Sequence, residues 1–334
     1  MLNKKHLSNL SKFKKGNALA FSEYCRIQGS FATVTDSDIF YSVEHGIKDV
    51  TPAIVPTAEL VKIAQKYNIE SIHGRGELAD IITDAGTFTL DNLDAGQWPD
   101  MPVMAHAQRQ IIDPALFSDM FPYISNDELR PSMMGIYFGS DICATNGHIL
   151  KWRDNPHFKD GYSEFIMPRK VAELLKADEY RHYYADEYCN IQGNHETIVY
   201  KRINERYPEY RSVIPKDNNR GVIIRKKDAL KAIEAAKIVS NTVSKHIKLC
   251  INGNVNLYAE DIDLKKQYAS PAIGYSIDSE NDTELFEIGF NWGYLERAIK
   301  DGPDQSSVKM STPNRAAIFN GNTLVMPVML DYLK

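Results

Sequence analysis

The chain repeats itself, and the period limits what it can fold into. Trp98-Pro99-Asp100 and Tyr207-Pro208-Glu209 are both aromatic-proline-acid and lie 109 residues apart, while Thr35-Asp36 and Thr145-Asn146 each close an alternating stretch and lie 110 apart. Segments 59–67 and 169–177, both with helical spacing of apolar residues, again start 110 apart. A fainter third copy places Leu257-Tyr258-Ala259-Glu260-Asp261 where the second copy has its Thr-Asn strand end, 115 residues later. A period this long means one supersecondary unit used several times. Three such units account for 334 residues, too many for one ordinary core. The expected domains are 1–105, 106–217 and 218–334, with polar or proline-bounded linkers near 101–108 and 216–221.

Each unit follows one order: an amphipathic helix, strands, a second helix, further strands. In the first, Leu7, Leu10 and Phe13 recur three apart with Lys4, Lys5, Lys12 and Lys15 on the other faces, and Gly16 stops the helix. Strands are expected at 18–28, 30–35, 39–44, 70–73, 81–83 and 87–90, with a helix over 56–67. The second opens with Asp113-Pro114, a cap and first-turn pair that predicts a helix over 115–124, and its later helix starts at Pro168. The third opens at Lys227-Asp228 with Leu230, Ile233 and Ala236 on one face, and closes with a helix over 292–299.

Composition narrows the function. An apolar fraction of 43% and a charged fraction of 25% describe a soluble globular chain. No run reaches the length of a membrane span, and the start lacks the apolar core of a secretory signal, so the expected location is the cytoplasm. Cys25, Cys143, Cys189 and Cys250 form no Cys-x-x-Cys pair and have no histidine at ligand spacing, which predicts reduced, non-metal residues. There is no glycine-rich phosphate loop and no Ser-His-Asp pattern. The acidic stretch 178–187 reads as a solvated strand face. These absences point to a binding protein that is not an enzyme, with no cofactor and no metal.

The densest motif is 128–152, ELRPSMMGIYFGSDICATNGHILKW, two apolar strands about Asp141 followed by a tight Asn146-Gly147 turn. The run Ala144-Thr145-Asn146-Gly147-His148-Ile149-Leu150 resembles the Ala-Thr-Asp-Gly-His-Arg-Leu loop of the bacterial DNA polymerase III beta subunits, the sliding clamps. Arg206-Tyr207-Pro208-Glu209-Tyr210 is similar to that family's Arg-Phe-Pro-Asp-Tyr segment. Leu324-Val325-Met326-Pro327-Val328-Met329-Leu330 is similar to its closing strand. The matches keep the family's order and spacing and cover nearly the whole chain.

The resemblance implies an α+β chain of three repeated clamp domains, each with two helices packed on antiparallel sheets, forming a ring as a head-to-tail homodimer around double-stranded DNA. It also implies an apolar groove that captures short peptides of a DNA polymerase and a clamp loader. Carried over by position, that groove comprises Met133, Thr145, Gly147, His148, Leu150, Pro208, Val213, Leu324, Met326, Pro327, Val328 and Met329. The dimer seam would join Phe88 and Leu90 to Ile238 and Val239.

Charge supports the ring. Although the net charge is −5, the six helical segments together carry +9 and the remainder −14. Basic helices inside an acidic shell would attract a duplex lengthwise. The expected phosphate contacts are Lys4, Lys5, Lys12, Lys15, Lys170, Lys227 and Lys231; Asp113 and Asp119 break the basic wall. The chain also departs from the family. Asn146 stands for the usual Asp, Ile149 for an Arg and Ser212 for another Arg, so acidic peptide positions should matter less than apolar ones. The first helix comes where the family has an opening strand, and residues 331–334 extend the usual end. Such departures leave open a rival, a clamp-derived monomeric accessory factor or enzyme.

Overall fold

The computed structural model describes residues 4–13, 19–102, 108–176, 179–184, 187–261, 264–277 and 285–330, except the side chains of Lys4, Lys5, Gln108 and Tyr184. The mixed α+β composition is as expected, strands dominating over a few helices. Contacts divide the chain into two compact units, residues 1–115 with 157–204 and residues 116–156 with 205–334.

In the first unit an eight-stranded sheet runs in the order Ala53–Pro56, Tyr24–Gln28, Phe31–Thr35, Ile39–Glu44, Glu196–Lys201, Tyr188–Gln192, Tyr180–Tyr184, Gln108–Ile112. Its middle is the antiparallel ladder between Ile39–Glu44 and Glu196–Lys201, which joins residues far apart in sequence. Helix Lys4–Leu10, extended by a 3-10 turn at Ser11–Phe13, and helix Thr57–Lys66 pack against one another. Leu7, Leu10, Phe13 and Leu60 are buried as their spacing predicts. A smaller sheet orders Asp49–Val50, Ile69–Arg75, Leu78–Thr83 and Gly86–Asp91, leaving the last of these as an edge strand.

A buried polar cluster ties this unit together. The Glu196 carboxylate accepts from the Tyr41 hydroxyl at 2.6 Å and the Tyr180 hydroxyl at 2.7 Å, and the His6 ring lies 4.0 Å away. Asn9 donates to the Leu174 carbonyl at 2.9 Å. A carboxylate taken out of water is tolerated when donors surround it.

The second unit orders Gly135–Phe138, Asp141–Thr145, Ile149–Asp154, Thr323–Val325, Ala317–Phe319, Gln305–Met310, Arg220–Arg225, Gly274–Ser276, Asn254–Asp261, His246–Asn252 and Phe286–Asn291 in one sheet, with Lys266–Ala269 paired beside Asn254–Asp261. Helices Lys226–Val239 and Trp292–Lys300 lie side by side, each burying an apolar face.

The repeat is visible atom by atom. At Thr35 the hydroxyl accepts from Ser37 N–H at 3.0 Å and Asp36 Oδ1 accepts from Ile39 N–H at 2.9 Å. At Thr145, 110 residues on, the hydroxyl accepts from Gly147 N–H at 3.0 Å and Asn146 Oδ1 accepts from Ile149 N–H at 3.0 Å. Ser37 and Gly147 both adopt positive φ, 80° and 87°.

Three expected elements differ. The helix over 115–124 is replaced by 3-10 turns at Pro114–Leu116 and Phe121–Tyr123. Phe117, Met120, Tyr123 and Ile124 are buried as a helical stripe would require, but Pro122 in the middle lacks an N–H and its ring opposes a continuous α-helix. The helix from Pro168 is α-helical only over Arg169–Ala172; Leu174 and Leu175 then bond back three residues, tightening the turn. The strand over 18–28 starts at Tyr24, after a 3-10 turn at Ala20–Glu23. Gly16 and residues 103–107 of the first linker lie outside the described residues.

Removing one donor from the buried carboxylate should be costly. Tyr180→Phe leaves Glu196 with a lost bond in a dry site and should lower unfolding stability by about 1–3 kcal/mol, measured by urea denaturation of the full chain.

Candidate functional site

The sequence between Asp141 and Asp154 makes a hairpin because alternating apolar residues flank a turn whose hydrogen bonds are supplied by its own side chains. Thr145 Oγ1 donates to the Ile149 carbonyl at 2.9 Å, and Asn146 Oδ1 accepts from both His148 and Ile149 N–H at 3.0 Å. The outer strand, Ile149–Asp154, then pairs with the closing strand, Ile149 opposite Val325 and Leu150 opposite Leu324. Met326 N–H continues the pairing to the His148 carbonyl at 2.9 Å, and Val328 bridges to Gly289. Two motifs almost two hundred residues apart thus share one edge.

The aromatic-proline segment docks on the same hairpin. The Tyr207 ring stacks on Tyr137 with centroids 5.0 Å apart. The Tyr210 hydroxyl donates to Asp141 Oδ2 at 2.6 Å, and that oxygen also accepts Arg211 Nη2 at 2.6 Å. Burial first, then the bond to Asp141, pushes the Tyr210 hydroxyl well above its ordinary pKa, so this contact keeps its proton across the usual pH range.

The three motifs therefore converge within one unit. Met133, Thr145, Leu150 and Leu324 are buried. Pro208, Met326, Pro327 and Val328 are half-buried, while Gly147, His148, Val213 and Met329 are exposed, Met329 at 71%.

Sequence reasoning missed two neighbours. Tyr294, on helix Trp292–Lys300, stacks against His148 with centroids 5.5 Å apart and an interplanar angle of 12°. Arg130 has its guanidinium beside Gly147: a Cβ there would lie 3.4 Å from Nη1. No local pattern marks either residue, since both reach the loop only through the tertiary fold. Arg130 brings a guanidinium to this loop, ion-paired with Asp127 at 3.5 Å. Ile149, which replaces an expected rim charge, is instead buried in the pairing with Val325.

The other expected residues lie elsewhere. Lys227 and Lys231 are exposed one turn apart on helix Lys226–Val239, with no ion-pair partner among the described residues. Lys12 donates to the Glu173 carbonyl at 2.6 Å; partial burial, then the nearby Lys176 charge, lower its pKa. Lys170 is ion-paired with Asp36 and sits over the Phe13 ring. Lys4 belongs to the described helix without a described side chain, as does Lys5, and Lys15 lies outside the described residues, as do 331–334. On the expected seam, Phe88 and Leu90 are half-buried on the edge strand Gly86–Asp91, Phe88 packing on Tyr67, and Ile238 is 78% exposed beside half-buried Val239. Among the described residues no cluster of metal-ligating side chains occurs, and no helix is long and apolar enough to cross a membrane.

No family model matches the chain. Among curated proteins it is similar to the beta sliding clamp of Caulobacter vibrioides strain NA1000 / CB15N, 26% identical over 328 residues, spanning 86% of this chain and 81% of that protein. It is also similar to the beta sliding clamp of Rickettsia bellii strain RML369-C, 28% identical over 310 residues, 80% of this chain and 78% of that one. Among solved structures, the DNA polymerase sliding clamp of Pseudomonas aeruginosa superposes with a TM-score of 0.84 at 19% identity, covering 98% of this chain and 97% of that one.

The terminal segment depends on Gly289. An added methyl there would lie 2.8 Å from the Val328 carbonyl oxygen and 2.7 Å from Leu330 Cδ2. Gly289→Ala should displace residues 326–330 and speed exchange of the Val328 amide by on the order of tenfold, with Val308 in the core unchanged; hydrogen exchange measures both.

Proposed function

We propose, from the premise that this chain is a divergent relative of the bacterial beta sliding clamps, that it is a processivity factor: a head-to-tail homodimeric ring that encircles duplex DNA and tethers a replicative polymerase. The observation that carries the reading is the hairpin at 141–154, which pairs with the closing strand Thr323–Val325 and on which Tyr207 of the aromatic-proline segment also packs. On this reading the chain comprises clamp domains at 1–105, 106–217 and 218–334 and works in the cytoplasm by topology, without a reaction of its own.

Tethering follows from the groove. A short linear peptide from the polymerase or from a clamp loader would lay one Leu or Phe anchor onto the floor made by Met133, Leu150 and Leu324, a burial worth roughly 1.5–3 kcal/mol. The methionines and the exposed lip at Met329 let the same surface accept more than one peptide. Thr145 and Asn146 hold the loop from within, so its shape is set before the peptide arrives.

Holding DNA follows from phosphate attraction without base readout. Lys227 and Lys231, without an ion-pair partner among the described residues and exposed on one helix, are the best-placed contacts; Lys12 with its neighbour Lys176 is a second pair. Lys170 contributes less than its sequence position suggests, because Asp36 already answers its charge. A head-to-tail contact between the edge strand carrying Phe88 and Leu90 and the surface carrying Ile238 and Val239 closes after two copies.

Two measurements test the reading. Once loaded, the protein should remain on a closed circular duplex and slide off a linear one of equal length; equal retention on both removes encirclement. Truncation before Met326 should abolish binding of a Gln-x-x-Leu-Phe-type peptide while the dimer persists in sedimentation, and unchanged peptide binding would remove the groove.

A further inference from the structure

Lys12 is set apart from the other exposed lysines by what surrounds it. It lies in the 3-10 turn Ser11–Phe13, between two anchored residues: Asn9 donates to the Leu174 carbonyl at 2.9 Å, and the buried Phe13 ring stacks on Tyr41 with centroids 6.3 Å apart. Its backbone is therefore fixed, and its amine reaches across to donate to the Glu173 carbonyl at 2.6 Å. Glu173 and Leu174 follow the short helix Arg169–Ala172, where carbonyls run out of helical partners and attract donors. Lys12 remains exposed all the same.

Charge around that amine is unbalanced. Lys12 and the turn at 169–176 bring together four cations, Lys12, Arg169, Lys170 and Lys176, against the carboxylates of Glu173 and of Asp36. Arg169 takes the Glu173 carboxylate at 2.8 Å and Lys170 takes Asp36. Neither Lys12 nor Lys176 has an ion-pair partner among the described residues, and the two are neighbours. Two ammonium groups side by side oppose one another's charge. Partial burial first and the Lys176 charge second lower the Lys12 pKa, against the weaker pull of Glu173. Losing a proton does not cost Lys12 its tether, because a neutral amine keeps an N–H for the Glu173 carbonyl and gains a free lone pair.

We infer that Lys12 is a site of non-enzymatic acylation, its amine attacking the carbonyl carbon of an acyl phosphate whose negative charge the flanking cations attract. The N–C bond forms as the acyl C–O bond to phosphate breaks. The leaving phosphate carries away the electron pair of that bond and takes up the proton that the nitrogen sheds. The product amide retains one N–H, so acylation removes a positive charge and relieves the repulsion from Lys176 without freeing the side chain from Glu173. On the ring reading above it would also weaken phosphate attraction at this point, but the reaction itself does not rest on that reading.

The full chain is incubated with acetyl phosphate, and acetylation at each lysine is followed over time by mass spectrometry of its peptides. Lys12 should react about fivefold faster than Lys66, Lys227 and Lys231, which are also exposed, and its rate should level off at a lower pH than theirs. Lys176→Gln should bring the Lys12 rate down to theirs, whereas Lys176→Arg, which keeps the charge, should leave it high; circular dichroism checks that both variants fold. A Lys12 rate no greater than that of the other three, or one indifferent to Lys176→Gln, would overturn the assignment. No DNA enters the assay, so its outcome is separate from that of encirclement.

Discussion

The pairing of Ile149–Asp154 with Thr323–Val325 is the contact on which the candidate site depends. Without it the Asn146-Gly147 loop and the Met326-Pro327 segment would be two unrelated surface features. A ladder of this sequence separation carries a large closure entropy, offset here by burial of Ile149, Leu150, Leu324 and Val325 on both sides of the pair. The strand ends once it has passed the loop, because Pro327 cannot donate to a further ladder bond. The chain beyond it bridges to Gly289 through Val328 and leaves Met329 exposed.

What the sequence revealed and what it hid divide along physical lines. Short-range chemistry was legible: the Thr-Asn turn, the helix from Lys226, the helix from Trp292 and the buried stripe of Leu7, Leu10 and Phe13 all follow from local spacing. One repeated turn was legible too, since Thr35-Asp36 and Thr145-Asn146 close it with the same hydrogen bonds. The segment at 115–124 shows the limit. Its apolar periodicity correctly marked which residues go inside, yet Pro122 forbids the helix that such periodicity usually signals, so burial and secondary structure separated. Tyr294 and Arg130 were invisible for a different reason: their roles come from proximity in the fold, and nothing in their own neighbourhoods distinguishes them.

Charge gave the most uneven return. Summing helices identified the basic elements but treated every lysine as available. Lys170 is spent within the first unit on Asp36, and Lys12 on a backbone carbonyl, whereas Lys227 and Lys231 remain free of ion pairs among the described residues. A formal count measures potential attraction; the ion pairs decide how much of it reaches solvent.

The doubled turn has an evolutionary consequence. Only one side-chain oxygen at its second position is needed to hold the turn, so aspartate and asparagine serve equally well there, and the remaining atom is free to take on separate work. In the first copy that atom is a second carboxylate oxygen, and it binds Lys170. In the second copy it is an amide nitrogen, and the loop carries no fixed negative charge at that point. One turn, used twice within the chain, thus carries an ion pair in one place and none in the other through the exchange of a single heavy atom, serving as a brace between elements in the first and closing only on itself in the second.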